Sequence, residues 1–311
     1  MQNYAILFPG QGSQSLKMMD DFVNDDIVRN IFQLSHQILG VDLWGMLQEE
    51  TADNINQTIN TQVLMLTSAY AIYKSYLQHH KFTPKFVAGH SLGEYSALVA
   101  AGVITFEDAL QLVQVRAQLM QLVGDKYDGM MSAILGFSAE EVAEFCLEVS
   151  YANSEVNCAN FNTPTQTVVA GHKDAVIRLN DLVKTKGGKA IVLPVSVPSH
   201  CSLMLDISND FRSQCNKINF SRAEVPVVSN VSGIASQDAL VIRELLIEQL
   251  YSPVQWVKTI EYMAQHQVNT FIETGPGKIL TGLGKKIIPE ANKYKHIELG
   301  QLSRATTTAI G

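Results

Sequence analysis

Tyr4 to Phe8 is an unbroken apolar run stopped by Pro9 and Gly10. A short continuous run closed by turn residues predicts a strand buried on both faces. Thr61 to Leu77 puts Val63, Leu66, Tyr70 and Tyr73 on one side at helical spacing, which predicts a helix. Phe86 to Ala88 reads as a second strand, and a helix-like segment follows from Glu94. Phe106 to Val123 predicts a third helix, with a capping-box start at Thr105 and Asp108 and a stop at Gly124. Strand and helix in alternation predict a parallel sheet flanked by helices.

The rhythm then changes. Met130 to Phe137 reads as a strand, and Ser138 to Val149 as a helix with Ser138 as N-cap and Glu141 three residues on. Val156 to Asn160 and Gln166 to Ala170 read as strands joined by a turn at Asn162 to Pro164. Asp174 to Lys186 reads as a helix ending at Gly187 and Gly188, and Ala190 to Val195 as a last strand. The order βαββαβ is the ferredoxin-like pattern, so residues 126–196 are expected to form a small inserted subdomain. After Pro198 the chain returns to longer helices, with strands at Val225 to Ser229 and Thr270 to Glu273. The tail from Ser303 to Gly311 is small and polar and is expected to fray.

Composition narrows the class. The 311 residues suffice for one large domain or two smaller ones, and 46 % apolar content argues against disorder. The net charge of −7 leaves no general basic footprint for nucleic acid. The apolar stretch from Ser96 to Phe106, bracketed by Glu94 and Glu107, is too short for a membrane span. The N-terminus shows no basic region or cleavage site, so secretion is not expected. Cys146, Cys158, Cys201 and Cys215 show no C-x-x-C spacing and read as reduced thiols. No metal-ligand cluster stands out among the histidines.

The chemistry points to Gly89-His90-Ser91-Leu92-Gly93, a G-x-S-x-G between a strand and a helix. A serine on that sharp turn presents its hydroxyl outward, and glycines on either side let neighbouring chains approach. The helix N-terminus then aims free N–H groups at a developing oxyanion. The bland alternative is a glycine-rich turn with an N-capping Ser91. A serine nucleophile needs a base, and downstream stand His172, His200, His266 and His296. His200, in Val197-Pro198-Ser199-His200-Cys201, sits where a proline-stiffened loop meets a helix. On the third helix, Phe106, Ala109, Leu110, Val113, Ala117 and Met120 form one face, and Arg116 is the only charge in the apolar half. It is either a structural ion pair or snorkelling side chain, or a bidentate clamp for a substrate carboxylate. Phe8-Pro9-Gly10-Gln11-Gly12-Ser13-Gln14 is a glycine-rich turn without the lysine of a P-loop. Gly275-Pro276-Gly277-Lys278 reads as a tight turn into a helix.

Taken together, FPGQGSQ (Phe8 to Gln14), GHSLGEY (Gly89 to Tyr95), VQVRAQLMQ around Arg116, VPSHC (Val197 to Cys201), QLYSPVQW (Gln249 to Trp256) and ETGPGKIL (Glu273 to Leu280) resemble the malonyl-CoA:acyl-carrier-protein transacylases. The motifs stand in family order over nearly the whole chain. The resemblance implies an α/β-hydrolase-like core with a parallel sheet, residues 1–125 and 197–311, carrying the ferredoxin-like insertion. It implies Ser91 as acylated nucleophile and His200 as base, oriented by the main-chain carbonyl of Gln249. It implies an oxyanion hole from the N–H groups of Gln11 and Leu92, Arg116 on the malonyl carboxylate, and Gln62 near the site. No resident cofactor or metal is implied, because coenzyme A enters and leaves as the acyl carrier. The implied partners are malonyl-CoA and an acidic acyl carrier protein, with no nucleic acid or membrane, for a monomeric cytoplasmic enzyme. Lys184, Lys186, Lys189, Lys285 and Lys286 are candidates for a carrier-docking patch, or for ordinary solvated surface. Related polyketide acyltransferases carry HAFH or YASH before the base; this chain has VPSH, the form of the stand-alone enzymes, and Ser199 gives no strong steric reason to reject an α-methyl group. A stand-alone acyltransferase serving a polyketide synthase, a serine thioesterase or hydrolase, and a non-catalytic carrier-binding scaffold are the competing readings.

Overall fold

The computed structural model describes residues 3–49, 51–80, 83–195 and 197–300. In chain order the elements are β1 (Tyr4–Phe8), α1 (Asp26–Leu39), α2 (Leu43–Met46), α3 (Asp53–Asn56), α4 (Thr58–His79), β2 (Phe86–Gly89), α5 (Gly93–Ala100) and α6 (Phe106–Tyr127). Then come β3 (Gly129–Leu135), α7 (Ala139–Val149), β4 (Val156–Thr163), β5 (Gln166–His172), α8 (Lys173–Thr185) and β6 (Lys189–Val192). The chain continues with α9 (Ser208–Cys215), β7 (Val227–Val228), β8 (Ala235–Ser236), α10 (Ala239–Glu248), α11 (Trp256–Gln265), β9 (Thr270–Glu273), α12 (Ile279–Ile287) and β10 (Lys295–Glu298). Short 3₁₀ turns at Asp20–Phe22 and Ser202–Ile207 complete the described elements.

Two sheets result. The larger has six strands in the order β10-β9-β1-β2-β7-β8, parallel except for β8. β1 lies at its centre, with Phe8 opposite Gly89 and Leu7 opposite Glu273. The two-residue period of a strand splits β1 between two cores: Ile6 and Phe8 face one, Ala5 and Leu7 the other. Val87 and Ile272 follow the first set; Phe86, Ala88 and Phe271 follow the second. Continuous apolar strands are thus what a sheet covered on both faces demands.

The smaller sheet is antiparallel, in the order β4-β5-β3-β6, as a βαββαβ unit requires. Ile134 and Val169 face its own core with α7 and α8, while Met131, Ala133, Val168 and Ala170 join the main core. Val254 ties the units together, its N–H donating to Ala159 O at 2.9 Å and its O accepting from Phe161 N at 2.9 Å. Among the described residues no helix is long and apolar enough to cross a membrane.

Several boundaries differ from expectation for identifiable reasons. The third helix does not stop at Gly124 but runs to Tyr127, ending at Asp128 with φ +43°. Tyr127 packs on the main core and donates to Asp206 at 2.5 Å, contacts that outweigh a glycine's cost of about 1 kcal/mol in a helix. Thr105 does cap that helix through Asp108 N at 3.0 Å, but Asp108 returns no backbone bond; its short carboxylate takes the threonine hydroxyl instead. Ser138 and Glu141 form the full reciprocal box. The last strand of the insertion ends at Val192 rather than Val195, because Pro194 lacks the N–H that pairing needs. The strand expected over Val225 to Ser229 pairs only at Val227–Val228. The later helices span 8 to 10 residues, shorter than the 22 of α4 and α6. α1, β8 and β10 carry no counterpart among the expected elements. The expected frayed tail, Ser303 to Gly311, lies outside the described residues.

Candidate active site

Parallel α/β sheets present their sites beyond the carboxyl ends of their strands. Here β1 ends at the Gly10–Gln11 turn, β2 at Ser91 and β7 at Ser229–Asn230, and these three ends converge.

The turn after β2 is a strained elbow. Ser91 has φ +52°, a left-handed conformation costly for a residue with a Cβ. The elbow closes only because its neighbours are glycines. A Cβ on Gly89 would lie 1.9 Å from the Gly93 carbonyl, and one on Gly93 would lie 2.0 Å from Phe8 O. Asn230 clamps the bend from β7: its Oδ1 accepts from Ser91 N at 2.6 Å and its Nδ2 donates to Gly89 O at 2.6 Å.

Ser91 Oγ lies 2.6 Å from His200 Nε2, and His200 Nδ1 lies 2.7 Å from Gln249 O. A carbonyl accepts only, so Nδ1 carries the proton and Nε2 is left as acceptor for the serine hydroxyl. His200 also has a left-handed backbone, φ +62°, and its N–H donates to Leu250 O at 3.0 Å. The following Ser202 is held by Asn157 and Glu155 of β4 and the preceding loop. Burial, then the nearby Arg116 cation, pushes the His200 imidazole down to about 3. It is therefore a neutral acceptor at ordinary pH.

Arg116 is 1 % exposed. Its Nη1 donates to Gln62 Oε1 at 2.7 Å, and its Nη2 approaches Gln249 Oε1 at 3.3 Å and Ser91 Oγ at 3.4 Å. It also lies over the Tyr95 ring, 5.5 Å from the centroid. None of the ion pairs among the described residues includes it. The structural ion pair open to the sequence is thus not formed; neutral amides hold a buried guanidinium beside the serine.

Ser91, His200, Arg116, Gln11 and Leu92 line one cavity of about 120 Å³, with Met120, Met131, Leu193 and Val195 among its walls. Leu92 immediately precedes α5, whose first N–H groups, those of Gly93, Glu94 and Tyr95, already donate to His90 O at 2.9 Å, Ser91 O at 3.0 Å and Leu92 O at 3.1 Å. A wider recess of about 570 Å³ adjoins it, sharing Gln11, His90, Asn160, Leu193 and Val195. The chain beyond Val192, released from the sheet, therefore becomes the cleft wall.

The residues to which the resemblance assigns a role in the site, Ser91, His200, Gln249, Gln11, Leu92, Arg116 and Gln62, fall together here, while the other downstream candidates for the base, His172, His266 and His296, do not. Asn230, Glu94 and Asn162 were missed. Asn162 Oδ1 meets His90 Nε2 at 2.8 Å, joining the insertion to the elbow. The available signal for Asn230 was topological, a polar residue just after a strand that lies beside β2. Among the described residues no cluster of metal-ligating groups occurs.

The acyl transferase domain family matches residues 6–309. The malonyl CoA-acyl carrier protein transacylase of Salmonella typhimurium is 44 % identical over 309 residues, 99 % of this chain and 100 % of its own. The acyl carrier protein S-malonyltransferase structure from Vibrio cholerae superposes with a TM-score of 0.93 at 40 % identity, covering 100 % of both chains. A malonyl-transacylase in complex with a type II PKS acyl-carrier protein superposes at 0.94 and 38 % identity, also over 100 % of both chains. With its motifs, its two sheets and its full-length relatives in agreement, the chain belongs to the malonyl-CoA:acyl-carrier-protein transacylase family of acyl transferases.

Proposed function

We propose that this protein moves a malonyl group from malonyl-CoA to the phosphopantetheine thiol of acyl carrier protein through a malonyl ester on Ser91, as a step of fatty acid biosynthesis. The observation that carries the reading is the meeting of three groups at one oxygen: Ser91 Oγ has His200 Nε2 at 2.6 Å and Arg116 Nη2 at 3.4 Å.

In the first half-reaction Nε2 takes the hydroxyl proton as Oγ attacks the thioester carbon. The N–H groups of Gln11 and Leu92 receive the oxyanion, a role supported by their place on the same cavity wall. Nε2 then returns the proton to the departing coenzyme A thiolate. In the second half-reaction the same imidazole takes the proton of the carrier thiol, whose sulfur attacks the ester carbon, and returns that proton to Ser91 Oγ as the ester C–O bond breaks. Gln249 O keeps the imidazole in the tautomer required for both. Arg116 pairs with the distal malonyl carboxylate, and Gln62 holds the guanidinium from the other side.

The core, 1–125 and 197–311, brings the reacting groups, and the insertion, 126–196, closes the cleft over them. Lys184, Lys186 and Lys189 on the insertion and Lys285 and Lys286 on α12 are the docking surface offered to an acidic carrier, with the protein acting as a monomer. Intact-mass analysis after quenched incubation with malonyl-CoA tests the reading. A malonyl adduct on the Ser91 peptide, transferred on adding carrier protein, is expected. Absence of any adduct leaves a scaffold, and loss of the adduct to water as fast as to thiol leaves a hydrolase.

A further inference from the structure

Glu94 is a buried charged group beside the reacting residues that the transfer chemistry leaves unused. It is 2 % exposed, it sits in the first turn of α5, and its Oε2 accepts from Gln249 Nε2 at 2.5 Å. The same carboxamide turns its Oε1 to Arg116 Nη2 at 3.3 Å, and Nε2 also donates to Ser91 O at 3.0 Å. One side chain therefore stands between a buried carboxylate and a buried guanidinium, polarised by both. We propose that Glu94 is the internal counter-charge of Arg116, held one amide away, and that its charge state sets how strongly an anionic acyl group is preferred over an uncharged one. This rests on the reading above, in which the malonyl carboxylate docks on Arg116.

A guanidinium stripped of water needs a compensating negative charge nearby. In the free protein Glu94 supplies it at a distance, leaving the guanidinium face toward Ser91 open. When a malonyl group arrives, two carboxylates share one cation in a dry pocket, and like charges so placed oppose joint ionisation. Glu94 is the one that yields, since burial already pushes its carboxyl up to about 7, against the pull of Gln249, a backbone contact to Asn230 and Arg116. Substrate charge and Glu94 ionisation are then linked, each weakening the other by the same factor.

The surrounding groups do not titrate where Glu94 does. Arginine stays protonated throughout this range. Tyr95 on α5 is held far above its ordinary value, and Cys215 of α9, behind it, is pushed up to about 12. His200 is pushed down to about 3, and burial lowers His90 at the elbow. On α4, Tyr73 is pushed up to about 12 and Tyr70 is raised. β1 and β2, beneath α5, add no charged side chain.

The test compares single-turnover acylation of Ser91 by malonyl-CoA and by acetyl-CoA between about pH 6 and pH 8, a span set by the ordinary width of one carboxyl titration. Titration of the coenzyme A moiety is common to both and cancels in the ratio. In the unaltered protein the malonyl-to-acetyl ratio is expected to fall roughly fivefold to tenfold as pH rises, the effect of about one pKa unit of coupling. In Glu94→Gln, which keeps an acceptor for Gln249 but no charge, the ratio is expected to be flat and at least as high as the low-pH value. A flat ratio in the unaltered protein, or an unchanged slope in Glu94→Gln, overturns the proposal; the first measurement needs no variant. No ester on Ser91 at all overturns the transfer reading itself, whereas an ester with a flat ratio removes only the role given to Glu94.

Discussion

Ser91 and His200 meet side chain to side chain at 2.6 Å from two backbones that are both left-handed, at φ +52° and +62°. Neither is a glycine, and such positions cost about 1–3 kcal/mol each when held. The cost is borne because neighbours over-determine both bends: Asn230 and the flanking glycines at one, the Leu250 carbonyl at the other.

The depressed basicity of His200 has a measurable sign. A group whose folded value lies below the ordinary one stays neutral, and hence able to accept, as pH falls until the folded value is reached. Pushed down to about 3, the imidazole should still be functional at pH levels where a free histidine is mostly protonated. Acylation by acetyl-CoA, which brings no acyl charge, should hold between about pH 7.5 and pH 5. Stopped-flow release of coenzyme A reports it, and a halving centred near the ordinary histidine value would contradict this environment.

Arg116→Ala should exchange specificity for breadth. A charged hydrogen bond in a dry site contributes about 1.5–3 kcal/mol, so malonyl preference over acetyl should drop by roughly one to two decades. Competition between the two thioesters, read by intact mass, measures this directly; retention of full malonyl preference would remove the clamp.

Asn230→Ala removes acceptor and donor together, leaving Ser91 N–H and Gly89 C=O without their 2.6 Å partners in a buried bend. Each stranded buried group costs about 1–3 kcal/mol. Stability to urea should fall by about 2–6 kcal/mol, and kcat should fall with it as the serine loses its fixed direction. Unchanged stability would show that the bend holds itself.

The same substitution should act with opposite sign at two glycines. In Gly93→Ala the new Cβ would lie 2.0 Å from a backbone oxygen of β1, which cannot swing aside, so a loss above about 3 kcal/mol is expected. In Gly282→Ala, on α12, the Cβ meets nothing and the helix gains about 0.5–1 kcal/mol. Paired thermal melts decide the matter.

How much of this was legible in the residues differs by element. The strands of both sheets that carry short apolar runs, β1, β2, β3, β5 and β9, were readable because burial on at least one face leaves few alternatives for such runs. Ser138 with Glu141 was readable because capping is local. Gly124 misled, since the value of continuing α6 lies in Tyr127 reaching Asp206, a partner distant in sequence. β10, with Lys295 and Glu298 among its four residues, looks like surface until β9 is beside it. Around the serine, the glycine spacing announced the elbow, the proline-stiffened loop and the apolar helix face singled out His200 and Arg116 among open alternatives, and the family motifs gave them their roles. Asn230 and Glu94 stayed hidden because each works through partners brought together by folding: a clamp across two strands, and a charge relayed by Gln249.

Gln249 bears on the imidazole through its carbonyl and on the guanidinium through its side chain. Only the second of these is encoded by the identity of the amino acid. Replacing Gln249 by alanine would strip the amide bridge, and with it the bond to Ser91 O, yet leave the imidazole's steering oxygen in the chain, so that variant leaves tautomer control in place. Erasing the latter would take a change in the course of the polypeptide itself, of the kind a proline at this position would force by removing the Gln249 N–H that donates to Leu245 O.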